Sequence, residues 1–179
     1  MATATRLIDV PEYLEIPDPP GGRYELHHGQ LFEVSFAKIG HSRVQDTLVD
    51  CLRPFAAGRG RLRAELAFRA LPHYELRAAD VGYVIRERDE ACSPDDYLYG
   101  APDLMIEVVS PSNRKGEMNE RKALCLANGC SEFWTVDPKK RTVIVDKSDG
   151  SSTTYRSVDV IPLTLPAPGK LRVDDIFTA

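Results

Sequence analysis

Apolar residues recur along this chain in three rhythms, and each rhythm predicts a different element. From Ser42 to Phe55 they fall at Val44, Leu48, Cys51, Leu52 and Phe55. That spacing puts one apolar stripe on a helix lying against a sheet. Leu62, Ala64, Leu66 and Phe68 instead alternate with Arg61, Arg63, Glu65 and Arg69, the period of a half-exposed strand. Leu104, Met105, Ile106, Val108 and Val109 form the third pattern, a short run apolar on both faces between Pro102 and Pro111. It reads as a fully buried central strand.

The remaining elements follow from weaker signals. Pro11 stands where an N1 residue would, so PEYLEI is a short helix, and Asp18 to Gly22 breaks the chain. Tyr24 to Leu26 and Gln30 to Val34 read as hairpin arms turning at His28-Gly29. Asp80 to Ile85 is a strand, and Arg86 to Gly100 a polar loop. A helix runs from about Gly116 to Asn128, with Ser112 or Asn113 as its cap and Gly129 ending it. Glu132 to Val136 and TVIVDK pair across the turn Asp137 to Lys140. TTYRSV is a further strand after Asp149-Gly150, and the chain closes on a short strand and a turn at Asp174 to Phe177. Without repeats or an interdomain linker, residues 1–179 are expected to form one domain. Its class is α/β, bordering on α+β, with a mixed central sheet flanked by helices.

Composition narrows the class of function. The chain of 179 residues is 42% hydrophobic and 28% charged, enough for a real core and against extended disorder. A net charge of −4 argues against a polycationic nucleic-acid binder but allows local basic patches. Arg59, Arg61 and Arg63, Arg114 and Lys115, and Lys139 to Arg141 are candidates to track a phosphate backbone. The four cysteines show no C-x-x-C spacing, which argues against a zinc knuckle. With no signal peptide, membrane span or disulfide framework in the pattern, a cytoplasmic protein is expected.

Glu107 carries the chemical interest. An ionised carboxylate in a buried strand is costly unless a cation or strong donors compensate it. Asp103 precedes it by four positions and would point to the same side. Asp80 opens a neighbouring strand, and Glu25 lies in the N-terminal hairpin. Hard oxygen donors select Mg²⁺ or Mn²⁺ rather than zinc. Such a cation could polarise a phosphate and help deprotonate an attacking water. Arg121 or Lys122, early in the helix after the buried strand, could supply a stabilising positive charge. The alternative is structural: a Glu107–arginine pair inside the core, with no metal.

The segments APDLMIEVVSPS and NGCSEFWTVDP, separated by a helix with basic residues, resemble the Uma-type restriction endonuclease family of the PD-(D/E)XK nuclease superfamily. RYELHHGQL resembles that family's YELIDGEL signature, His41 its helix start, and Asp80-Val81 its PDV strand. The resemblance implies a restriction-endonuclease-like core and metal-dependent hydrolysis of phosphodiester bonds, with DNA as the expected substrate. It assigns the motif carboxylates to Asp80 and Glu107 and the upstream acid to Glu25; Asp103, nominated by its strand parity with Glu107, is a further metal ligand candidate. The family's lysine has moved to the following helix, where Arg121 occupies the matching position and Lys122 the next one. Ala79 replaces the PDV proline, and Cys125 the tyrosine common in that helix. A homodimer is implied, since cutting both strands commonly uses two sites. The rival expectation is a catalytically weak or inactive nuclease-fold domain that binds nucleic acid or protein.

Overall fold

The computed structural model describes residues 6–110 and 115–178. Its centre is a seven-stranded sheet assembled from β3 (Gly60–Arg69), β4 (Arg77–Ile85), β5 (Leu98–Tyr99), β6 (Leu104–Val108), β7 (Glu132–Asp137), β8 (Thr142–Lys147) and β9 (Ser152–Arg156). The spatial order is β5-β3-β4-β6-β7-β8-β9. β3 with β5 and β6 with β7 run parallel, and the other neighbours antiparallel. This is the mixed sheet that the sequence pattern predicts.

The two faces are covered by different helices. α2 (Ile39–Ala56) lays Val44, Leu48, Val49 and Leu52 on Val81, Ile106, Val108 and Trp134. The hairpin of β10 (Val160–Leu163) and β11 (Gly169–Arg172) extends that layer with Ile161 and Leu171. α4 (Lys115–Ala127) covers the opposite face, where Cys125 joins Phe68, Ala79, Met105 and Phe133. β6 is buried along its whole length because it lies between strands and between layers.

A second, two-stranded sheet is made by β1 (Gly22–His27) and β2 (Gln30–Ser35). His28 and Gly29 turn it with φ of 49° and 74°, the paired positive angles that tight hairpins favour. One isolated bridge, Leu26 with Leu76, links this hairpin to the approach to β4. α1 (Val10–Leu14) precedes it, with Asp9 and Glu12 forming a capping box.

One predicted segment differs. Arg86 to Gly100 is not all loop, for it contains α3 (Arg86–Ala91) and β5. α3 buries no residue, so it has no apolar stripe for periodicity to detect. The proposed caps of α4, Ser112 and Asn113, lie outside the described residues.

Candidate active site

The antiparallel ladder between β4 and β6 ends on the pair Val81–Ile106, and Asp80 and Glu107 are the next residues beyond it on the two strands. Asp80 is fixed by donors on both oxygens. Its Oδ2 accepts from the Val108 amide at 2.7 Å, and its Oδ1 from His41 Nε2 and Gln45 Nε2, each at 3.0 Å. His41 and Gln45 are one helical turn apart on α2 and so share a face. The hydrogen bond to Asp80 raises the His41 pKa against the opposing effect of burial.

α4 and the N-terminal hairpin complete the cluster. Glu107 is only 4% exposed, and its Oε1 accepts from Arg121 Nη1 at 3.0 Å. The same nitrogen donates to the Ala78 carbonyl at 3.0 Å, while Nη2 donates to Glu25 Oε2 at 2.5 Å. Glu25, 3% exposed, also accepts from the Ala78 amide at 3.0 Å and contacts His27 Nε2 at 2.8 Å. Burial acts to raise the Glu25 pKa, but Arg121, His27 and Ala78 outweigh it and hold the carboxyl near 2. Burial dominates at Glu107. With repulsion from Asp80 and Glu25, it lifts that carboxyl to about 8 despite Arg121. Arg121 resists deprotonation because two carboxylates outweigh its own desolvation.

Glu25, Asp80, Glu107 and Arg121 therefore come together, and the other nominated residues do not. Asp103 lies four residues before Glu107, about 13 Å along an extended strand. Its Oδ2 accepts from the Ile85 amide and pairs with Arg88 Nη1, both at 3.0 Å. Lys122 turns toward β8 and pairs with Asp146 Oδ2 at 3.0 Å, the consequence of one residue's rotation on a helix. Within the basic clusters, Arg61 is paired with Asp89, Lys140 with Asp137 and Arg141 with Asp174. The expected Glu107–arginine pair is present, but with Glu25 as a second acid on the same guanidinium.

Glu65, Gln45, His41 and Arg23 belong to the site's surroundings, and sequence reasoning gave none of them a role there. Glu65 faces Asp80 between the pairs Ala64–Val81 and Leu66–Ala79. Its φ is +51° in the middle of a strand, an uncommon conformation for a non-glycine residue. Leu62 and Ala64 pack on the α2 side, but Leu66 and Phe68 on the α4 side. The strand thus changes face at Glu65, which strict alternation cannot register. Gln45 Nε2 donates to Glu65 Oε1 at 2.6 Å, and Arg23 Nη2 lies 2.8 Å from Glu65 Oε2. The available signal was Gln45 itself, a polar residue inside the apolar stripe of α2.

A divalent cation fits the donor chemistry of Asp80 and Glu107. Arg121 pairs with Glu25 and Glu107 but not with Asp80, and the carboxyl oxygens of Asp80 and Glu107 are hard donors of the kind such an ion takes. Among the described residues, no group of at least three His, Cys, Asp or Glu side chains converges as a ready cage. Two carboxylates with the rest of the shell left to water and substrate oxygens suit a hard divalent cation.

A mixed sheet carrying opposed carboxylates on adjoining strands, with an arginine from the following helix, has a restriction-endonuclease-like nuclease fold. The crystal structure of a putative nuclease belonging to DUF820, from Anabaena variabilis ATCC 29413, superposes with a TM-score of 0.80, covering 96% of this chain and 98% of that one. The two are 21% identical, a likeness of fold. The chain itself belongs to the Uma2 family, described as "Putative restriction endonuclease", whose sequence profile matches residues 10–177. No curated protein matches it. Among the described residues, no helix is long and apolar enough to cross a membrane.

Proposed function

We propose that this chain is a metal-dependent endonuclease that hydrolyses phosphodiester bonds in DNA. The observation that carries the reading is the meeting of Asp80 and Glu107 at the end of the β4–β6 ladder, with Glu107 on the Arg121–Glu25 pair. Asp80 and Glu107 would hold Mg²⁺ or Mn²⁺. When bound, that ion supplies charge stabilisation at the phosphate and lowers the pKa of an attacking water. His41, Gln45 and the Val108 amide keep Asp80 in one orientation, so little reorganisation is needed at the moment of reaction. Arg121 acts as a fixed positive charge rather than a proton carrier, because its pKa is driven upward. Glu25 holds that guanidinium from the side opposite Glu107. A homodimer would bring two such sites to a duplex, and a native mass measurement tests that part.

The rival reading, a nuclease-fold module that binds without cutting, is favoured by one observation. Arg121 already neutralises both Glu25 and Glu107, and Lys122 is turned to Asp146. The deciding experiment is cleavage of supercoiled plasmid and single-stranded DNA with Mg²⁺ or Mn²⁺, beside Glu107→Gln. Metal-dependent cutting that disappears in Glu107→Gln supports the enzyme. A folded wild type that binds DNA without cutting supports the module.

A further inference from the structure

A cavity of about 160 Å³ opens beside the carboxylate cluster, with Tyr13, Tyr24, Tyr97, Arg23, Glu25 and Leu76 in its lining. Two of these residues belong also to the candidate active site. Glu25 holds Arg121, and Arg23 reaches Glu65 Oε2 at 2.8 Å and Glu25 Oε1 at 3.7 Å. Through Glu25 and Ala78, the lining of the cavity is joined directly to the Arg121–Glu107 pair.

The lining has the chemistry of a base-binding surface. Tyr13 and Tyr97 rest on the small core of Val10, Leu26 and Leu76, and both residues also line the cavity. The Tyr13 hydroxyl donates to the Tyr24 carbonyl at 2.7 Å, which fixes the ring without filling the cavity. The capping box of α1 anchors the segment that carries it. Three tyrosines, the Arg23 guanidinium and a few fixed polar groups in one lining match a neutral planar ring with a polar edge. Arg77 also lines the cavity, but Glu75 and Glu120 hold its guanidinium, so with the Glu25 carboxylate at the wall the cavity is a poor host for a phosphate.

We propose that this cavity receives one unpaired nucleobase of the strand whose phosphate lies at the Asp80–Glu107 carboxylates. The inference rests on the nuclease reading and specifies its substrate: the base next to the reacting phosphate must be out of the duplex, in a single strand or flipped.

The test is a single-stranded oligonucleotide carrying one 2-aminopurine, titrated with the full chain in calcium and followed by fluorescence and anisotropy. Wild type should quench the probe on binding, through stacking on tyrosine. Tyr97→Phe should keep both signals. Tyr97→Leu, which retains apolar bulk, should weaken binding by about fivefold to a hundredfold and restore the fluorescence. Circular dichroism checks that each variant is folded. Binding without quenching, or quenching unchanged in Tyr97→Leu, overturns the inference. Plasmid cleavage in Mg²⁺ or Mn²⁺ keeps the two failures apart. Cutting by wild type alongside an unaltered Tyr97→Leu titration removes the base pocket and leaves the nuclease. Absence of both strand binding and cutting in wild type removes both.

Discussion

Arg121 donates to Glu107 across 3.0 Å, so the helix that follows β6 folds back onto that strand's own carboxylate. The same guanidinium holds Glu25, and removing it leaves two buried acids facing each other. Arg121→Ala is expected to destabilise the fold by about 3–5 kcal/mol, the cost of breaking a buried ion pair on one side. Urea unfolding measures this, and a loss below about 1 kcal/mol would contradict the buried-pair account.

Lys122 and Arg121 should separate cleanly in activity. Lys122→Ala is expected to leave cleavage unchanged, since that ammonium is engaged with Asp146 on another strand. Arg121→Met should lower the cleavage rate by about a hundredfold or more, as loss of one preorganised charge donor does. Initial rates on supercoiled plasmid read both. A rate that collapses in Lys122→Ala would mean that α4 turns when substrate binds.

Stability should respond to pH in opposite senses at the two glutamates. The Glu107 pKa is raised from the ordinary 4.5 to about 8. Between those values the folded chain binds more protons than the unfolded one, so this group makes stability fall as pH rises through that window. The Glu25 pKa is lowered from 4.5 to about 2. Its stabilisation is complete above the ordinary value and is lost as pH falls toward 2. Melting temperatures recorded from pH 4.5 to 8.5 should decline less steeply in Glu107→Gln than in wild type, and equal slopes would rule out the raised pKa.

Glu65 pays for its position with a left-handed backbone. Glu65→Gly should be at least as stable as wild type, because glycine adopts that conformation without steric cost. Glu65→Val should lose about 1 kcal/mol or more, since a branched side chain fits that region worst. Thermal denaturation of the pair distinguishes a conformational cost from a simple loss of the Arg23 and Gln45 contacts, which both variants share.

Much of the sheet could be read from the chain because its strands obey simple rules. The β6 run is apolar on both faces, the α2 stripe is regular, and His28-Gly29 marks its turn chemically. Glu107 stood out for the same reason, as the lone acid in a buried run. Asp103 shared its parity, but parity does not express distance along a strand, and the two acids are engaged at different ends of β6. Arg121 and Lys122 were adjacent alternatives, because sequence spacing cannot fix a helix's rotation to one residue. Glu65 was hidden by a different cause. The change of face at that residue depends on a backbone angle that no hydrophobic pattern encodes.

Glu25 belongs to a sheet that is hydrogen-bonded separately from the one carrying Asp80 and Glu107, with Leu26–Leu76 as the bridge between them. Amide exchange in β1 can therefore follow a local opening of its own, distinct from the opening of β4 and β6. Each such opening takes Glu25 away from Arg121 and leaves that guanidinium to Glu107, while the central strands stay paired. The electrostatic setting of the buried glutamate is thus tied to the fraying of a two-stranded ribbon far from it in the sequence.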